Sequence, residues 1–269
     1  MNTISPEEYK KLQDFIYSKL GHHVDEKKKE TVTTKVTKLM RRRGLTTPQE
    51  YVKYILATSD ADAIQEFCNE ITTNTTEFFR EPAHFDYIKN NINSIIAEIP
   101  RIKKNGEIRV WNAPCSSGEE SITTAIVLKE CLPPGIKTII LATDIDTRIL
   151  EKASRGVYAE NECKGLTKNC MLKYFQKQPN GFYKVNDDIK TCITYKIFNV
   201  MDEFKFSKGF DMIFCRNLMI YMDNEVQQRL VNKFYDALVP NGLFFIGHSE
   251  TMLNKKHNYK HVQTALYKK

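Results

Sequence analysis

The stretch Ile108 to Ile122, IRVWNAPCSSGEESI, limits the architecture most. An apolar, strand-like run breaks at Ala-Pro-Cys-Ser-Ser-Gly and passes straight into a helix. Strand, tight small-residue loop and helix in that order open an α/β sheet, where ligands sit outside the carboxyl ends of the strands and backbone amides approach them closely. The loop is not a dinucleotide fingerprint. It has the single glycine Gly118 where G-x-G-x-x-G needs three, and it lacks the Gly-Lys-Ser/Thr ending of a phosphate-binding loop. Glu119 and Glu120 follow the turn instead. Carboxylates there repel a phosphate and accept from an amine or a ribose hydroxyl, so the loop suits a nucleoside without phosphates.

A second acidic position agrees. Lys137 to Thr143, KTIILAT, reads as a buried parallel strand, and Asp144 follows it about 25 residues after Glu119, near where ribose-binding folds place the acid that takes the hydroxyls. S-adenosylmethionine has the required chemistry: ribose, adenine, an amino-acid tail, a sulfonium and no phosphate.

At 269 residues the chain holds one large domain, or a catalytic domain plus a small one. Hydrophobic content of 41% and charged content of 27% are ordinary for a globular protein and argue against disorder. The start, MNTISPEEYKKLQDF, lacks a signal-peptide pattern, and no apolar run approaches the roughly 20 residues needed to span a bilayer, so a cytoplasmic protein is expected. The seven cysteines form no C-x-x-C pair and read as free thiols, Cys115 included. His257 and His261, spaced i, i+4, would share a helix face, but with no third ligand they read as exposed histidines and no metal is expected. The net charge of +7 points to an acidic partner.

Ser5-Pro6-Glu7-Glu8 is a capping box with proline at the first helical position, predicting a helix to Gly21. A second helix runs from about Asp25 to Gly44. Val32, Val36, Leu39 and Met40 form its apolar face; Lys35, Lys38 and Arg42 lie beside it, and Arg41 and Arg43 extend the basic end. Such charge is either a solvated face favoured by the helix dipole or a docking surface, and spacing alone leaves both open. Thr47-Pro48-Gln49-Glu50 starts a third helix and Ser59 to Ile71 forms a fourth, with no strand signal before about residue 107. The fold class expected is therefore a helical N-terminal domain, residues 1–73, followed by an α/β domain, residues 74–269. The junction ITTNTTEFFREP is polar then aromatic, a composition suited to enclosing a ligand. As a purely structural residue, its Arg80 would make a surface pair with Glu77 or Glu81, worth little. Strand and helix alternate until Gly156. About 157–192 then reads as an inserted small β-subdomain with a turn at Pro179-Asn180-Gly181. Strands resume at Ile193 to Phe198 and Asp211 to Cys215, and Gly242 to Ile246 with Tyr259 to Tyr267 close the sheet as an antiparallel pair.

Five stretches in this order, TTNTTEFFRE (72–81), VWNAPCSSGEE (110–120), ATDID (142–146), FCRNLMIYMD (214–223) and GHSE (247–250), together resemble the chemoreceptor glutamate methyltransferases of the CheR family. The resemblance spans most of the chain. It implies a class I, Rossmann-like methyltransferase domain with a small β-subdomain, preceded by the helical domain, and S-adenosylmethionine held between the two. Position by position it implies cofactor contacts from Asn74, Thr76, Arg80, Glu119, Asp144, Asn199, Val200, Arg216 and Asn217, with Arg80 and Tyr221 near the reacting groups. Where many members continue Gly-Glu-Glu with Pro-Tyr-Ser, this chain has Ser121-Ile122-Thr123. Its insertion around Gln176 to Phe182 is short, which places it with members that need no receptor-tail peptide as a tether.

The implied reaction carries a methyl from the sulfonium to the γ-carboxylate of a receptor glutamate, leaving S-adenosylhomocysteine and a methyl ester, in sensory adaptation. The implied partners are the glutamate-rich methylation helices of chemoreceptors, which Lys35, Lys38, Arg41 and Arg42 would steer. The enzyme is expected to be a monomer recruited to membrane receptor arrays without inserting into the bilayer. Nucleic acid is disfavoured because the basic patch is confined and carries no interleaved aromatics. Two alternatives are a non-catalytic adaptor that binds cofactor and receptor, and a methyltransferase for another acceptor. Against an amine acceptor, Cys215-Arg216-Asn217-Leu218 stands where an Asn/Asp-Pro-Pro-aromatic motif is common.

Overall fold

The computed structural model describes residues 4–269. The local signals at the N-terminus act as expected. In α1 (Pro6–Leu20) the Ser5 hydroxyl accepts from the Glu8 amide at 3.2 Å, the Glu8 carboxylate accepts from the Ser5 amide at 3.1 Å, and Gly21 ends the helix in a left-handed conformation. A short 3₁₀ turn precedes α2 (Lys29–Arg42). Then α3 (Pro48–Ala57) repeats the reciprocal cap with Thr47 and Glu50, and Asp60 caps α4 (Ala61–Ile71). The apolar stripes of these helices, including Leu12, Ile16, Val36, Leu39, Tyr51 and Phe67, bury one another in a core of their own. Each such side chain contributes roughly 1.5–3 kcal/mol.

Helix α5 (Ala83–Glu98) leads to α6 (Arg101–Asn105), whose five residues are too few to show a period in sequence. The α/β unit follows: β1 (Glu107–Asn112), α7 (Glu119–Cys131), β2 (Lys137–Asp144) and α8 (Thr147–Arg155). The inserted region holds β3 (Val157–Tyr158), α9 (Lys168–Tyr174), β4 (Phe175–Lys177), β5 (Tyr183–Val185) and α10 (Asp187–Lys190), with its strands forming a separate sheet in the order β3-β5-β4. The main sheet is completed by β6 (Ile193–Ile197), β7 (Phe210–Cys215), α11 (Asn224–Ala237), β8 (Leu238–Ile246), β9 (Lys260–Gln263) and β10 (Leu266–Lys268).

The seven strands run in the order β6-β2-β1-β7-β8-β10-β9, parallel from β6 to β8 and antiparallel beyond. One expectation is corrected here. Tyr259 to Tyr267 is not one strand but a hairpin that reverses near Ala265, itself left-handed at φ 57°. The reversal lets Leu266 enter the core opposite Phe245 while β9 covers the outer edge. Consequently His257 and His261 share no helix face; His261 lies on β9 and His257 precedes it. The order turns at β1, with β2 on one side and β7 on the other, so loops leaving the carboxyl ends of those strands diverge and open a crevice.

Candidate active site

That crevice is a cleft holding about 560 Å³ of space, its open mouth included. Each wall comes from a different strand end: Pro114 after β1, Thr143, Asp144 and Ile145 at β2, Phe198, Asn199 and Val200 after β6, and Asn217, Leu218, Tyr221 and Met222 after β7. The helical domain closes the remaining side with Leu20 and His22, and the junction contributes Thr72, Thr73 and Asn74. Six of the site residues expected from sequence thus meet in one place: Asn74, Asp144, Asn199, Val200, Tyr221 and Asn217. No lysine or arginine is among the residues that line the cleft. Its chemistry fits a phosphate-free nucleoside: one buried acid, amides, and apolar surface from Phe198, Val200 and Leu218.

Asp144 is the charged group of the cleft. Its Oδ2 accepts from the Ser116 amide at 2.9 Å and its Oδ1 from the Asp146 amide at 3.0 Å. Burial nevertheless dominates and raises its carboxyl from 3.8 to about 6. Asn199 is present, but its side chain is occupied: Nδ2 donates to the Lys19 carbonyl at 2.7 Å and Oδ1 accepts from the Met201 amide at 3.0 Å. Its backbone carbonyl is engaged as well, accepting from the Asp202 amide at 2.9 Å. Asn74 likewise gives its Nδ2 to Asp146 at 2.9 Å.

Four expected contacts lie outside the cleft lining. Thr76 and Arg80 sit farther along the junction. Arg80 donates to the Thr75 carbonyl at 2.9 Å and forms no ion pair with Glu77 or Glu81, which corrects the surface-pair expectation. Glu119 is buried beside the loop with both oxygens accepting from the Ser117 hydroxyl, at 2.9 and 2.7 Å, and burial raises its pKa. Gly118 explains the close fit there. At φ 97°, a Cβ would meet Ala153 Cβ and the Tyr158 hydroxyl at 3.0 Å each.

Arg216 departs most from the expected direct contact. Its guanidinium lies behind the cleft wall, paired with Glu81 at 3.0 Å and Glu120 at 2.8 Å, and donating to the Arg80 carbonyl. Every edge of the guanidinium is engaged, so the side chain supports the site and does not line it. Glu81, His84 and His248 come close enough to suggest a metal cluster, yet Arg216 holds the same Glu81 oxygen and fills the role of the cation.

Sequence reasoning missed a half-buried carboxylate. The Glu250 carboxylate accepts from the backbone amides of Gly247 at 2.6 Å, Met219 at 2.7 Å and Asn217 at 3.0 Å. It pins the loop that carries Asn217, a non-glycine residue at φ 57°. Gly247 is needed for the approach, since a Cβ there would stand 2.7 Å from Asn217 Nδ2. Glu250→Gln turns one accepting oxygen into a donor that faces an amide, so a loss of about 1–2 kcal/mol is expected. Thermal unfolding should show the loss, and calorimetry should show weaker S-adenosylhomocysteine binding as Asn217 shifts. Also missed was Asp146, fully buried, which caps α8 and joins Arg148 at 3.0 Å. With Asn69 to Thr147 at 2.8 Å and Gln65 to the Ile145 carbonyl at 2.7 Å, it locks α4 onto the α/β domain.

The basic face of α2 is partly neutralised. Lys35 donates to the Ile71 and Thr72 carbonyls at 2.8 and 3.1 Å, capping α4, while Lys38 and Arg42 pair with Glu70 at 2.8 and 3.4 Å. The solvated-face and docking readings therefore divide by residue. Arg41 is exposed and, among the described residues, has no ion pair.

Residues 7–72 match the family described as CheR methyltransferase, all-alpha domain, and residues 74–268 match CheR methyltransferase, SAM binding domain. The chain is similar to the chemotaxis protein methyltransferase of Borreliella burgdorferi, 37% identical over 99% of this chain and 95% of that protein. It is also similar to those of Escherichia coli, 32% identical over 97% and 87%, and Salmonella typhimurium, 34% identical over 93% and 86%. With both domains matched end to end around a cleft that suits a phosphate-free nucleoside, this chain belongs to the CheR family of chemotaxis methyltransferases and takes S-adenosylmethionine as its cofactor.

Proposed function

We propose that this enzyme esterifies the γ-carboxylate of glutamates on helical segments of chemoreceptors, acting as a monomer in the cytoplasm and drawn to receptor arrays by its substrate. The observation that carries the reading is the position of α2: its first turns line a cavity that adjoins the cleft at Tyr221, so a docked acidic helix would lie beside the cofactor. The bound cofactor supplies an electrophilic methyl on a sulfonium.

The chain's own residues then bind, orient and exclude water. Asp144 would accept from the ribose hydroxyls, the chain at Asn199 and Val200 would meet the base, and Asn74 and Asn217 would close the sides. Thr76, Arg80 and Glu119 act from beside the cleft. Among the described residues Arg80 has one neutral partner, the Thr75 carbonyl, to exchange for a carboxylate. Arg216 positions Arg80 through its backbone carbonyl. No general base is required, because a glutamate with an ordinary pKa of about 4.3 is already ionised at neutral pH. The rate comes from alignment and from a site closed to water. The short turn between β4 and β5 supports docking without a tethering peptide.

Transfer of labelled methyl from S-adenosylmethionine to a receptor cytoplasmic fragment tests the reading, with base-released methanol as the readout. Base-labile label from the wild type, lost in Arg80→Ala, is expected. Label that survives base would assign another acceptor, and cofactor binding with no label would leave an adaptor. In the same assay Arg41→Glu should raise the KM for the fragment roughly tenfold while S-adenosylhomocysteine affinity stays unchanged, the defect shrinking at high salt.

A further inference from the structure

The cofactor cleft continues past Tyr221. A second cavity, about 740 Å³ with its open mouth included, lies on the helical-domain side, and Thr73, His22 and Tyr221 line both. Its wall is basic, with Lys28 from the 3₁₀ turn before α2 and Lys35 from α2 itself. Lys35 is committed to the carbonyls that end α4, whereas Lys28 has no ion pair among the described residues and stands 5.9 Å from the centre of the Tyr221 ring.

The two cavities meet where His22 faces Tyr221. Their rings lie 5.3 Å apart at 37°. The backbone holds the pair in register: His22 and Met222 form an antiparallel bridge, and the His23 amide donates to the Tyr221 carbonyl at 2.7 Å. The link between α1 and α2 is thereby laced to the segment that follows β7. Met201 packs against Gly21 at the start of the same link, where a Cβ would lie 2.6 Å from its sulfur.

We infer that His22 and Tyr221 form the throat through which the acceptor carboxylate passes from the basic cavity to the methyl donor, and that His22 is the positioning residue that holds the Tyr221 ring there. The inference rests on the glutamate-acceptor reading above and adds the route and the residue that shapes it. The charge arrangement suits a nucleophile that must arrive and remain reactive. Lys28 attracts the carboxylate at the entrance. At the throat it meets an imidazole that burial, with Lys28 and Lys35 nearby, holds at about 4 and therefore neutral at pH 7. A cation there would pair with the carboxylate and blunt its attack.

The test compares His22→Ala with His22→Phe in the full chain, measuring S-adenosylhomocysteine affinity by calorimetry and methyl transfer to the receptor fragment. An aromatic contact of this kind predicts that His22→Ala lowers kcat roughly three- to tenfold while S-adenosylhomocysteine affinity changes less than twofold. His22→Phe, which keeps a ring against Tyr221, should recover most of the rate. Unchanged turnover in His22→Ala, or a fall in cofactor affinity as large as the fall in kcat, would overturn the inference. So would failure of His22→Phe to do better than His22→Ala. The ring resonances of Tyr221, recorded without receptor, separate this outcome from a wrong acceptor. They should move in His22→Ala even if the wild type transfers nothing to glutamate, and a Tyr221 signal indifferent to His22 would remove the positioning role by itself.

Discussion

Arg216→Met is expected to lower the melting temperature by roughly 10 °C and to abolish methyl transfer. The side chain is 2% exposed and stands between two carboxylates that are themselves 13% and 11% exposed, Glu81 and Glu120. Burial alone would raise Glu81, but Arg216 and the His248 amide outweigh it and hold that carboxyl below its usual range. Removing one partner of a buried charge cluster leaves the others uncompensated and costs roughly 3–5 kcal/mol. A chain of this length loses a few degrees for each kcal/mol. Replacing the whole cluster is different, because well-packed neutral groups can match a buried ion pair. Arg216→Met with Glu81→Gln and Glu120→Gln should therefore recover much of the melting temperature and none of the activity, since the Arg80 carbonyl still lacks its donor. Thermal unfolding beside the methanol-release assay reads both. A triple variant no more stable than Arg216→Met would mean that the guanidinium acts through packing and not through charge.

Asp144→Ala should weaken S-adenosylhomocysteine binding roughly 10²–10⁴-fold without destabilising the unliganded protein at pH 7. The first half follows from two hydroxyl donors to a carboxylate, each worth roughly 1.5–3 kcal/mol. The second half follows from linkage. Burial raises the folded carboxyl from 3.8 to about 6, so the ionised form costs the unliganded fold about 3 kcal/mol at neutral pH. That cost is absent below pH 4, grows as pH rises from 4 to 6 and is nearly full above 6. The variant escapes it and loses two amide contacts that water in the cleft can replace. Wild-type affinity should in turn fall as pH drops through 6, by about tenfold per unit until it meets that of the variant. If Asp144 served only as a turn residue, the variant would melt lower and bind normally.

Much of this was legible because it is local. The boxes at Ser5–Glu8 and Thr47–Glu50 satisfy amides within one turn, and both form. The strands Glu107–Asn112 and Lys137–Asp144 follow their apolar runs, and Asp144 emerges at the strand end where the pattern placed it. The misses have a common cause. Tyr259 to Tyr267 has the composition of one strand, and its reversal at Ala265 answers to the core behind Leu266, which no nearby residue encodes. Glu250 was visible as part of GHSE, but its task is to hold amides about thirty residues away, and sequence spacing carries no sign of that.

The sequence by itself determined the two-part architecture, the phosphate-free ligand class and six of the residues that line the cleft, because caps, periodicity and loop composition act over a few residues. Only the tertiary structure decided which charges are free to act. It turned Arg216 from an expected ligand into a strut, tied Lys35 to the end of α4, left Arg41 exposed, and brought His22 from the helical domain against Tyr221. The physical reason is that a charge takes whichever partner the fold brings within about 3 Å, and in a packed interior that partner is as often a hundred residues away as four.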